Sequence, residues 1–116
     1  MMKTEIWLRF TRHIMQIVLI CSFAASAAAK APVALILAGH KFQPDHIAVP
    51  ANVRFKLTVT NNDATPDEFE SPDLRVEKIV IPGQTITVSA GPLSPGSYKF
   101  FDDYHPETAN GIAEAQ

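Results

Sequence analysis

Hydrophobic and polar positions alternate most regularly in "VRFKLTVT", where Val53, Phe55, Leu57 and Val59 fall on one face and Arg54, Lys56, Thr58 and Thr60 on the other. That period of two is the pattern of a half-buried β-strand. "TITVSA" (Thr85 to Ala90) alternates in the same way, and "VALIL" (Val33 to Leu37) and "EKIVI" (Glu77 to Ile81) are short apolar runs rich in branched residues. Turn chemistry separates the runs: Asn61-Asn62-Asp63, Pro82-Gly83 and Pro95-Gly96. No stretch of residues 30–116 keeps a helical period over three turns. The pattern predicts an all-β sandwich of about seven to eight short strands.

The first 29 residues have a different character. Lys3, Arg9 and Arg12 precede an apolar run from Ile14 to Ala24, and "ASAAA" ends it with small residues. This order predicts a cleaved export signal over 1–29, followed by one domain over 30–116 and release into the periplasm. An uncleaved anchor is the weaker reading, because the run falls short of the ~20 residues a spanning helix needs. A lipid attachment at Cys21 fits less well, since Ile20 stands where a small residue is required.

Loss of that segment removes Cys21, Met1, Met2 and Met15, which are all the sulfur residues of the chain. Disulfides and thiolate or thioether metal sites are then excluded. From Lys30 onward seven Lys and Arg face eleven Asp and Glu, a balance of −4. That acidity argues against nucleic acid as a partner and suits cations.

Candidate chemistry gathers in two places. In "SYKFFD" the alternation puts Tyr98, Phe100 and Asp102 on one face, so a core-facing Phe100 carries Asp102 inward, where a carboxylate needs a partner. His105 follows three residues later, with Asp103 and Glu107 as nearby oxygen donors. In "NNDATPDEFES" Glu68 and Glu70 flank Phe69 and share a face if the segment is extended. The plainer reading of that segment is an acidic solvated loop. His40, in "GHKFQP" before a turn, is a weaker candidate, and His46 is expected at the surface. Tyr98 after Pro-Gly suits a hydrogen-bonded sandwich corner.

The order of these parts resembles a cupredoxin. "FQPDHIAVPANVRFKLTVTNND" is similar to that family's opening strand pair, with Asn52 where a glycine is usual, and "PGSYKFFDDYH" is similar to its closing strand and ligand loop. The resemblance implies a Greek-key β-sandwich. It also implies a first histidine ligand near Glu68, a cysteine at Asp102, a second histidine at His105 and a methionine near Asn110. Of those four types only His105 is present, and blue-copper electron transfer needs the cysteine thiolate. Glu68, Asp102 and His105, with Glu70 beside them and His40, Asp103 or Glu107 for a remaining position, make an oxygen-rich set suited to iron (Fe2+ or Fe3+), manganese or Cu2+.

"DEFES", "EKIVIPG" and "GPLSPGSYKFFDDYHPETANG" further resemble small EfeO-type cupredoxin-like proteins, whose Glu-aromatic-Glu motif matches Glu68-Phe69-Glu70. The larger EfeO proteins of that family place a cysteine at Asp102, and a second family cysteine falls at Phe42. The resemblance implies a periplasmic protein handling iron for a membrane iron permease and its uptake partners, as a monomer or homodimer, with assistance to Fe(II) oxidation as a ferroxidase-like activity. Two other readings stay open: a Cu(II)-binding or copper-trafficking protein, and a metal-free interaction module on the same fold.

Overall fold

The computed structural model describes residues 31–116, and the expected export signal lies outside the described residues. Nine strands follow one another: β1 (Val33–Ala38), β2 (Lys41–Gln43), β3 (His46–Val49), β4 (Phe55–Asn61), β5 (Asp67–Ser71), β6 (Val76–Val80), β7 (Thr85–Ala90), β8 (Gly96–Asp102) and β9 (Asn110–Ala115). They form two sheets, ordered β2-β1-β4-β7 and β3-β9-β8-β5-β6. The all-β sandwich expected from the alternation is the fold observed, with nine strands rather than seven or eight and no helix among the described residues.

Period-two patterning produces the core directly. Leu35, Leu37, Leu57, Val59 and Val88 point inward from the first sheet, and Val49, Phe69, Val80, Phe100 and Ala113 from the second. Phe42 meets Phe100 and Phe69 edge-on, with centroids 5.0 and 6.0 Å apart, a favoured aromatic geometry. One detail of the pattern fails: Val53 is exposed, because β4 begins only at Phe55. Asn52 adopts φ 61°, so the residue standing where a glycine is usual takes the left-handed conformation that asparagine tolerates. Tyr98 donates its hydroxyl to Ser94 O at 2.8 Å, the corner contact its position suggested.

Gly111 shows how closely the Phe100 ring and the neighbouring backbone pack on β9 within the second sheet. A Cβ there would stand 2.4 Å from Asp45 O and from the Phe100 ring, so no side chain fits.

Candidate metal centre

Three inward-facing aromatics carry the functional groups to one end of the sandwich. Side chains two residues apart on a strand share a face, so Asp67 follows the parity of Phe69, and Asp102 that of Phe100. His40 stands two residues before Phe42 at the neighbouring hairpin tip. Asp67 and Asp102 are fully buried, and β5 and β8 pair with Phe69 opposite Asp102. Carboxylates are thus set above an aromatic floor.

His40 reaches the site through a tight turn. Ala38 pairs with Lys41 across β1 and β2, leaving Gly39 and His40 as a two-residue loop with φ of 59° and 54°. Positive φ at both central residues is the turn that matches the strand twist. "GH" is therefore the turn itself rather than the approach to one.

The end of β8 places His105. The Asp102 and Ala109 backbones close on each other at 2.9 Å, and the amides of Thr108 and Ala109 bond back to His105 O. Asp102 is fully engaged: Oδ1 accepts from the amides of Glu68 (2.9 Å) and Tyr104 (3.0 Å), and Oδ2 lies 2.9 Å from His105 Nδ1. Burial pushes this carboxyl up, but the Glu68 amide, Asp67, His105 and the Tyr104 amide outweigh it and hold Asp102 below its usual range.

Asp67 has the opposite environment. Its Oδ1 lies 3.2 Å from His105 Nδ1 and 3.9 Å from His40 Nδ1, yet neither Asp67 oxygen nor His40 Nδ1 has a hydrogen-bond partner. Burial first, then Asp102 and Asp63, push the Asp67 carboxyl up to about 7. His105 is raised chiefly by its bond to Asp102, against burial and with help from Asp67. The two imidazoles stack with centroids 3.7 Å apart and planes 21° from parallel.

His40, Asp67 and His105 bring one donor atom each within 4.8 Å of the others. Donors bonded at 2.0–2.2 Å to a four-coordinate ion stand about 3.4 Å apart. The spacings of 3.2 Å from Asp67 Oδ1 to His105 and 3.9 Å to His40 bracket that value, and unpartnered buried polar atoms face the space between. The residues fit a cation.

The structure separates the expected ligands into two groups. Asp102 and His105 meet as expected, joined by His40. Glu68 does not join them: it takes the parity opposite to Asp67 and groups with Glu70 and Asp103. Glu68 is raised by its neighbour Glu77 and by burial, and Glu70 by burial and Asp103. Glu107 is exposed and belongs to neither group. The sequence pattern by itself singles out neither Asp67 nor Asp63 as a site residue. The signal for Asp67 is indirect, since an inward Phe69 requires Asp67 to be inward as well.

Fold and donor set together describe a cupredoxin-like β-sandwich carrying a candidate His/Asp metal site without sulfur. The model of the cupredoxin-like domain family matches residues 11–112, and the chain belongs to that family. An uncharacterised protein of Rickettsia prowazekii is 43% identical over 80 residues, covering 69% of this chain. The chain matches 64% of that relative's length. Among solved structures, a purple cupredoxin from Nitrosopumilus maritimus aligns at 18% identity and TM-score 0.57, over 72% of this chain and 99% of its own. An amicyanin variant in its Cu(I) form aligns at 18% identity and TM-score 0.60, over 81% of this chain and 90% of its own. At these identities the likeness is one of fold.

Proposed function

We propose that this protein is an exported metal-binding cupredoxin-like protein that captures a transition-metal cation between His40, Asp67 and His105, with iron for uptake as the favoured cargo. The observation that carries the reading is the convergence of unpartnered, buried Asp67 oxygens and His40 Nδ1 on His105. A buried carboxylate without a partner is costly, and a cation is the partner that this geometry accommodates.

Donor chemistry supports iron. Two imidazoles and a carboxylate suit non-haem iron, and the further carboxylates Asp63 and Asp102 nearby increase the negative charge around the site. Hard oxygen donors favour Fe(III) over Fe(II), so the same set assists oxidation in which each Fe(II) gives one electron to dioxygen. Glu68, Glu70 and Asp103 supply an oxygen-only group on the other face, suited to holding a cation on its way in or out. Delivery to a membrane iron permease completes this reading.

A second reading, Cu(II) binding, is favoured by the structural likeness to a copper-loaded amicyanin and by the general affinity order of divalent metals. Titration of the purified protein with Fe(II), Fe(III), Mn(II) and Cu(II), with oxygen consumption followed in the iron samples, separates the two. Saturable iron binding with oxygen uptake supports iron oxidation. Iron binding without oxygen uptake leaves capture and delivery, and copper binding without any iron binding moves the function to copper. Failure to bind any of the four overturns the site.

A further inference from the structure

We infer that Asp63 is the positioning residue of this centre, the group that sets the His40 imidazole over His105. The inference rests on the metal-site reading for its purpose but not for its geometry. His40 lies at the tip of a hairpin, in the left-handed conformation, and its side chain is 40% exposed. Nothing in the hairpin itself fixes which way the ring points.

Asp63 supplies that constraint from another loop. Its carboxylate accepts from the His40 amide at 3.2 and 3.4 Å, and Oδ2 lies 3.4 Å from His40 Nδ1. The Asp63 side chain is itself only 6% exposed. Its backbone is anchored in turn: the Asp63 amide donates to Asn61 Oδ1 at 2.8 Å, while Asn61 Nδ2 donates to Val80 O and Thr65 O. Asn61 is fully buried at the end of β4.

A rigid chain of contacts therefore runs from the core of β4 and β6, through Asn61 and Asp63, to the turn that presents His40. Ligand orientation by carboxylates and carbonyls beyond the ligands themselves is a common device of metal sites. Here its effect is to hold the hairpin tip so that His40 stands beside His105 and Asp67.

The test compares the wild type with Asp63→Ala and Asp63→Asn as full chains, by two readouts. In the metal-free protein, NMR cross-relaxation between the His40 and His105 ring protons reports the stack. With Cu(II) as the probe metal, nitrogen hyperfine structure counts bound imidazoles. The wild type shows the ring contact and two nitrogens. Asp63→Ala loses the contact, binds through one, and loses about ten- to hundredfold in affinity. Asp63→Asn, which keeps an acceptor oxygen for the His40 amide, retains the contact and both nitrogens.

Survival of the ring contact in Asp63→Ala overturns the inference, as does its loss in Asp63→Asn. If the wild type binds no Cu(II) or other metal, the metal reading fails while the ring contact still decides the role of Asp63. Should Asp63→Ala fail to fold, Asp63→Ser, whose hydroxyl is too short to span to the His40 amide, takes its place with the same expected loss.

Discussion

His40 and His105 come from different sheets and different loops, yet their rings stack 3.7 Å apart with Asp67 Oδ1 near both Nδ1 atoms. Two imidazoles beside a buried carboxylate gather three potential donors in one place, and for both rings to aim a lone pair at one ion they turn out of the stack while His105 Nδ1 leaves Asp102 Oδ2. The fold sets this arrangement through inward strand positions on β5 and β8 and a two-residue turn between β1 and β2.

The two histidines are not equivalent in their support. His105 is held by Asp102, which is itself fixed by two amides, whereas His40 depends on a hairpin tip and Asp63. His105→Ala is expected to weaken metal binding by at least about a hundredfold, and His40→Ala by roughly ten- to hundredfold. Isothermal titration of both variants checks the order; a larger loss in His40→Ala contradicts it.

Proton linkage gives an unusual pH profile. Asp67 is raised from 3.8 to about 7 in the folded chain, so between those values the native state holds a proton that the unfolded state has released. Stability of the metal-free protein therefore falls as pH rises from about 4 to about 7. His105, also raised, contributes in the same direction, its stabilisation being lost as pH passes its folded value. Asp102 is lowered, so its contribution disappears only below the ordinary carboxylate range. Metal binding requires the ionised carboxylate, so affinity falls as pH drops below about 7. Melting curves across this range, with and without metal, should show opposite slopes; parallel slopes contradict the assignment of Asp67.

Glu68 faces away from this centre. Glu68→Gln should leave affinity at the His40 and His105 site within about threefold and raise stability near neutral pH, because the charge repelled by Glu77 is gone. Loss of all metal binding in Glu68→Gln would move the centre to the other face of β5.

Asn61 ties the metal loop to the core. Asn61→Ala removes donors to Thr65 O and Val80 O and the acceptor for the Asp63 amide. Buried groups left unpaired cost about 1–3 kcal/mol each, so a drop in melting temperature of more than about 10 °C is expected by calorimetry.

Much of this structure was legible in the sequence, for physical reasons. Alternation over Phe55, Leu57 and Val59 and over "TITVSA" identified half-buried strands, since a strand with one wet face can hardly be written otherwise. Phe100 carried Asp102 inward as its spacing required, and Tyr98 made the corner bond. On β5 the paired Glu68 and Glu70 are the conspicuous carboxylates of the sequence, but the parity of the inward Phe69 belongs to Asp67 and Ser71. Asp63 was hidden because its role depends on a contact between distant segments, whereas the Gly39-His40 turn is local and had its signal in the glycine between two apolar runs. Spacing along one strand reports a face, not which loop arrives opposite.

Asp67 is the test of the whole account. Equilibrium titration of the wild type and Asp67→Asn with Fe(II) under anaerobic conditions, with Cu(II) in parallel, should show one saturable ion per wild-type chain. Asp67→Asn should bind at least about a hundredfold more weakly while melting at a higher temperature than the wild type when both are metal-free near pH 8, because an uncompensated buried charge has been removed. Equal affinities in the two proteins, or no saturable binding by the wild type, would contradict the claim that this buried carboxylate and its two histidines form a metal centre.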